Sequence, residues 1–177
     1  GAMAEPGYVM NDGGEYGSYI LQDLRLPAVH AAPEAVERYE RAGRRRVHWL
    51  DGQVMPGAFQ INTAWYYEAN HEYMDRWAEE EGETGTIGKP HVHAVDELLC
   101  FYGSDPENPY DLNGEIEIWI EGERHLLTKS SLIYLPAGVS HLPLYVNRVE
   151  RPIFHFSLLL DAEYAFACEN GEVFEAR

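Results

Sequence analysis

The stretch Gly85-Thr86-Ile87-Gly88-Lys89-Pro90-His91-Val92-His93-Ala94-Val95-Asp96-Glu97-Leu98-Leu99-Cys100-Phe101-Tyr102-Gly103 decides the reading of this chain. His91 and His93 are separated by a single residue. On a β-strand alternate side chains point the same way, so the two imidazoles share a face, as chelation of one ion requires. Glu97 follows after Ala94-Val95-Asp96, where a bend returns a carboxylate to the same point and leaves Asp96 pointing away. A second segment, Pro136-Ala137-Gly138-Val139-Ser140-His141, is built for a turn. Proline fixes its own φ and glycine tolerates positive φ, so the turn delivers His141 back toward the first pair.

Gly85, five residues, His91-x-His93, three residues and Glu97 resemble the first cupin motif, and Pro136-x-Gly138-x-x-His141 resembles the second. The resemblance covers roughly residues 50–160. It departs from the motifs at Ser104, Ser130 and Tyr145, which stand where the motifs carry Gly, Gly and Asn. These are turn and closing positions, not ligands. The resemblance implies an all-β cupin jelly-roll β-barrel with one or two short peripheral helices, a metal held by His91, His93, Glu97 and His141, and a homodimer. Against this stands a plainer reading, ordinary polar residues on a half-exposed sheet, since His30, His48, His71, His125 and His155 occur as well.

Three imidazoles and a carboxylate offer borderline and hard donors with no thiolate. That set suits one divalent transition metal per chain: Fe, Mn, Zn, Ni, Co or Cu. Iron or manganese ranks first for an oxygenase, zinc first for a binding or cyclase-like protein. Zinc is satisfied by four ligands, whereas a catalytic octahedral ion keeps about two positions open.

The remaining chain divides into an N-terminal extension (1–46), the barrel (47–160) and a C-terminal tail or hairpin (161–177). In the extension, Gly1-Ala2-Met3 reads as an expression scar, Tyr19 to Leu26 as a strand, and Pro33 to Ala42 as a helix closed by Gly43. Asp51-Gly52 signals a hairpin between His48-Trp49-Leu50 and Val54-Met55. Phe59 to Tyr67 alternates, with Gln60, Asn62, Ala64 and Tyr66 on one face. Asn70 is positioned to cap a helix from His71 to Glu81, ended by Gly82. Short β-like runs follow, with turns at 103–106, Glu121-Gly122 and 136–138, and a last hairpin turns at Asn170-Gly171.

The net charge of −17 excludes the basic face that a nucleic-acid binder needs. No apolar run is long enough for a transmembrane helix, so no membrane partner is expected. Arg38, Arg41, Arg44, Arg45 and Arg46 form the one basic cluster, either a solvated helix end or an anion or intersubunit contact. Cys100 and Cys168 stand in no motif, which fits reduced thiols in a cytoplasmic protein.

Two functions fit. One is a metal-dependent cupin enzyme acting on a small organic molecule in the barrel, by oxygenase, isomerase, lyase or decarboxylase chemistry. The other is a non-catalytic small-molecule binder whose ion only anchors the fold. Gln60, Asn62 and Tyr66 are candidate substrate contacts, though hydrogen bonds within the barrel would also explain them. His155 and Tyr66 are candidate catalytic groups, His155 being equally readable as a satisfied core histidine. An anionic substrate needs a local cation in so acidic a chain, and Arg148 or Arg151 is a candidate for it.

Overall fold

The computed structural model describes residues 16–82, 88–162, 165–168 and 173–175. Its helices are α1 (Ala28–Ala31), α2 (Pro33–Arg41) and α3 (His71–Glu81). Its strands are β1 (Arg44–Leu50), β2 (Gln60–Tyr66), β3 (His91–Val92), β4 (Glu97–Tyr102), β5 (Asp111–Ile120), β6 (Glu123–Lys129), β7 (Ser131–Leu135), β8 (His141–Val149), β9 (Ile153–Leu159), β10 (Ala165–Cys168) and β11 (Val173–Glu175).

The pairing is nested. β5 pairs with β6, β4 with β7, β3 with β8 and β2 with β9, all antiparallel. A long hairpin of eight strands is thus rolled into two sheets, in the orders β1-β2-β9-β4-β7 and β11-β10-β3-β8-β5-β6. That is a jelly roll, an arrangement of two Greek keys. The innermost hairpin turns at Glu121-Gly122, both at positive φ (50° and 75°), the two-residue geometry that suits right-twisted strands.

Leu99, Phe101, Leu112, Ile116, Ile118, Val146 and Ile153 fill the space between the sheets. β2 alternates as its sequence demands, with Gln60, Asn62, Ala64 and Tyr66 buried. The five-stranded sheet is apolar on its other face too. Cross-strand partners share a face, and the register puts Ile61, Trp65, Leu158, Phe154, Leu98 and Tyr134 together on the outside.

Several expectations are corrected. Tyr19 to Leu26 forms no strand: a 3₁₀ turn covers Gly17–Tyr19, and Tyr19, Ile20 and Leu24 are exposed, so the segment has no face to bury. Asp51-Gly52 makes no hairpin. The Asp51 carboxylate accepts hydrogen bonds from Gln53 N, Val54 N and Trp49 Nε1, which holds a wider loop, and β1 pairs instead with β2. A third helix, α1, precedes α2 as a single turn that stops before Pro33. Asn70 occupies the N-cap position of α3 without capping it. Its side chain donates to Ala42 O (3.0 Å) and accepts from Val146 N (2.8 Å), tying the helix to the barrel. Gly85 and the Asn170-Gly171 turn lie outside the described residues.

Two departures from the motifs have structural partners. Ser130 Oγ accepts from Gly103 N (2.9 Å) and donates to Pro109 O (2.7 Å). Tyr145 stacks on His71 of α3, ring centres 4.0 Å apart. Gly103 itself is fixed by space, because a Cβ there would lie 1.9 Å from Asp111 O, a backbone atom that cannot swing away. Gly103→Ala is therefore expected to cost at least ~2 kcal/mol, read as a lowered urea midpoint; an unchanged midpoint would show that the β4–β5 crossing is not tight.

Candidate metal centre

β3 and β8 lie side by side with His91 directly opposite His141. His93 stands just beyond β3, and the tight turn at 94–96 restarts the chain as β4 on Glu97. This turn is held from outside: Asp96 accepts from Ala137 N (2.9 Å) and from the Tyr134 hydroxyl, and Gly138 N donates to His93 O (2.9 Å). Both motif turns are thereby clamped together, with Asp96 directed away from the histidines. His91, His93, Glu97 and His141 are all buried. The three imidazoles offer ligand atoms within 4.8 Å of one another and can hold a metal ion.

The backbone sets the tautomers. His93 Nδ1 lies 2.6 Å from Ala165 O, and His141 Nδ1 lies 3.0 Å from Val139 O. A carbonyl oxygen only accepts, so each Nδ1 carries the proton and each neutral ring turns a lone pair at Nε2 inward. Those lone pairs meet Glu97 Oε2, at 3.3 Å from His93 Nε2 and 2.8 Å from His141 Nε2. Glu97 Oε2 is buried and lacks a well-aligned hydrogen bond. Three acceptors at such distances repel unless a proton or a cation lies among them. Burial opposes protonation of His91, pushing it down to about 3, with His141 and His93 adding to the effect. Glu97 is pushed up by burial, and a proton on the facing Nε2 of His141 or His93 outweighs this and brings it to about 2, so the carboxylate calls for a positive charge between it and the rings. The donor set therefore fits a divalent cation. Ala165 O, on β10, was invisible to the motifs because any residue supplies a carbonyl.

The other candidates lie on the same inward face, at increasing distance. Gln60 and Glu97 are both opposite Leu159, in one row across the sheet. Gln60 Oε1 is buried without a hydrogen-bond partner. Asn62 Oδ1 accepts from Arg46 Nε at 3.2 Å. His155 stands opposite Phe101, four residues along β4 from Glu97, or about 13 Å of strand. It stacks on Tyr66 (4.9 Å) and Phe101 (4.7 Å), and its Nδ1 faces Cys100 O at 3.0 Å. Burial, with Arg44 nearby, lowers it to about 3. Tyr66 is held protonated, its pKa raised by burial. Arg148 and Arg151 are no free cations: they pair with Glu150 and Asp105 at the surface. Arg44 and Arg46, members of the one basic cluster in the sequence, stand on the inner face.

The strand order and the meeting of the two turns define the class: a jelly-roll barrel with a three-histidine cluster inside it. No family model matches the chain, and no curated protein matches it. Solved structures similar to it include KdgF from Halomonas sp. (15% identity, 65% of this chain and 76% of that one, TM-score 0.34). Another is the RmlC-like cupin from Shewanella frigidimarina NCIMB 400 (14%, 67% and 78%, 0.38). A third is the DMSP lyase DddQ from Ruegeria pomeroyi DSS-3 (16%, 89% and 64%, 0.41). At these identities and TM-scores the likeness carries no argument about activity.

Acid should unfold the ion-free protein steeply. His30, His91 and His155 have folded values lowered from 6.5 to about 4, 3 and 3, chiefly by burial. Below pH 6.5 the unfolded chain takes up protons that the folded chain refuses, so stability falls as pH falls. Each group contributes up to ~1.4 kcal/mol per pH unit. Glu97 adds a further loss below its unfolded value, toward pH 2. Urea midpoints of chelator-treated protein should drop sharply between pH 7 and pH 5; equal midpoints would show that these histidines titrate freely.

Proposed function

We propose that the chain is a metal-dependent enzyme, binding one divalent transition ion through His91, His93, Glu97 and His141 and acting on a small organic molecule in the barrel. The observation that carries this is the convergence of two inward Nε2 lone pairs on a buried carboxylate oxygen that lacks a well-aligned donor. The ion, when bound, supplies Lewis-acid polarisation of a substrate oxygen or activation of O₂. The protein's groups supply orientation. Gln60 Oε1 accepts a hydrogen bond from a substrate hydroxyl or amine. His155, with Nδ1 engaged by Cys100 O, keeps Nε2 as a neutral proton acceptor. The Tyr66 hydroxyl stays a donor at neutral pH. His155 and Tyr66, further along their strands from the Glu97 row, would serve the end of the substrate away from the ion. The same ligand set serves oxygenase, isomerase, lyase and decarboxylase chemistry.

No helix among the described residues is long and apolar enough to cross a membrane. Buried, unbridged Cys100 supports a cytoplasmic location. The doubly apolar five-stranded sheet supports a homodimer formed through its outer face, where Trp65 is 38% and Leu132 and Tyr134 each 57% exposed. A patch of that kind on one sheet face marks an interaction surface.

Three measurements test these readings. Elemental analysis should give about one transition ion per chain, and His93→Ala should lose most of it, because a direct bond is removed. With Co(II) loaded, azide or a small carboxylate should change the ligand-field spectrum; a spectrum indifferent to every small ligand would leave an anchoring ion in a non-catalytic binder. Sedimentation should show a dimer that Trp65→Lys with Tyr134→Lys converts to monomer, while a wild-type monomer at micromolar concentration would remove the homodimer.

A further inference from the structure

The inner face carries a second group of polar side chains that the metal chemistry does not use. Arg44 and Arg46 stand opposite Tyr66 and Ala64 in the β1–β2 ladder. Tyr66 and Ala64 are buried inside the barrel, so both arginines point inward with them. Their guanidiniums lie in an aromatic stack. Arg44 Cζ is 4.9 Å from the Tyr66 ring centre and 5.9 Å from that of Tyr39 on α2. Arg46 Cζ is 3.8 Å from the Tyr39 ring and 5.7 Å from that of Trp49. Stacking fixes a guanidinium plane and leaves its N–H edge to bond within that plane.

Arg46 uses Nε on Asn62. Arg44 Nε is buried and has no hydrogen-bond partner in the protein, and the same holds for the Tyr39 hydroxyl. Among the described residues, the carboxylates that pair with arginine engage Arg38, Arg41, Arg45, Arg124, Arg148 and Arg151, and none engages Arg44. Asp51, at the end of β1, is already occupied by Trp49 Nε1 and two backbone N–H groups. A chain with thirty acidic and thirteen basic residues has thus placed a stacked arginine, with no acidic partner of its own, on its inner wall.

We propose that Arg44, Arg46 and the Tyr39 hydroxyl form an anion subsite that takes the carboxylate end of the substrate. Arg46 reaches the row of Asn62, one row along β2 from Gln60, and Gln60 shares a row with Glu97. Arg44 stands further off, in the row of Tyr66, three rows along β2 from Gln60, or about 20 Å of strand. The subsite therefore takes the end of the substrate away from the ion, alongside Tyr66 and His155. That assignment to the substrate rests on the metal reading above; the subsite itself does not.

Glutarate is the probe, a short dicarboxylate with no other functional group. Chelator-stripped wild-type protein should bind it by isothermal titration calorimetry, with a change in Trp49 emission. Arg44→Met should weaken this at least tenfold, Arg44→Lys less, and the outward-facing Arg45→Met not at all. Tyr39→Phe deletes only the unpartnered hydroxyl and should weaken binding severalfold, which keeps the test open if Arg44→Met misfolds. Absence of binding to stripped wild-type protein overturns the subsite, as does equal binding by Tyr39→Phe and the arginine variants, or tighter binding of inorganic phosphate than of glutarate. Arginine-dependent binding in a protein that takes up no metal supports the subsite while removing the metal reading.

Discussion

Lone-pair repulsion inside the barrel is the constraint on which the site depends. β3, β8 and the start of β4 force three imidazoles and a carboxylate into one buried volume. Two backbone carbonyls then engage Nδ1 of His93 and His141 and turn each Nε2 toward Glu97. Such a cluster is costly as it stands, since buried acceptors without donors lose their hydration for nothing in return. A cation reverses the sign of that cost. The clamp between the two motif turns, Asp96 to Ala137 and Tyr134, has a clear purpose in this light: it holds the ligands against their own repulsion.

The sequence made the meeting of His91, His93 and His141 legible because strand periodicity and turn chemistry are local. His91-x-His93 reads as one face, and Pro136-x-Gly138 reads as a turn, without knowledge of any partner strand. The β2 alternation was equally local, and Gln60, Asn62 and Tyr66 do face inward. What was not legible depends on pairing. Asp51-Gly52 carries a hairpin signal, but a buried carboxylate bonded to Trp49 and two amides wins locally, and the partner strand begins at Gln60. Asn70 has the right residue type for a cap and spends its side chain on a distant strand. The arginine cluster looked uniform in sequence, whereas alternation on β1 sends Arg45 out and Arg44 and Arg46 in.

The departures from the motifs follow the same logic. A serine at 130 costs nothing where its hydroxyl bridges Gly103 and Pro109, and a tyrosine at 145 is used where α3 brings His71 against it. Closing positions of a motif report what the neighbouring loops need. The positions where the motifs carry His and Glu are unaltered here, and the three histidines among them form the cluster that can hold a metal ion.

The nested order of the strands also bears on how the barrel comes into being. β5 and β6 are joined by two residues and can close at once, whereas β2 and β9 must wait for everything between them. Loop-closure entropy favours the short connection first, and each pair formed shortens the effective loop for the next. His91 and His141 belong to the third of these four pairings. The three-histidine cluster therefore does not exist in the early folding chain and is assembled only when the roll-up is nearly complete, so a metal held there would act as a late latch on folding and not as its nucleus.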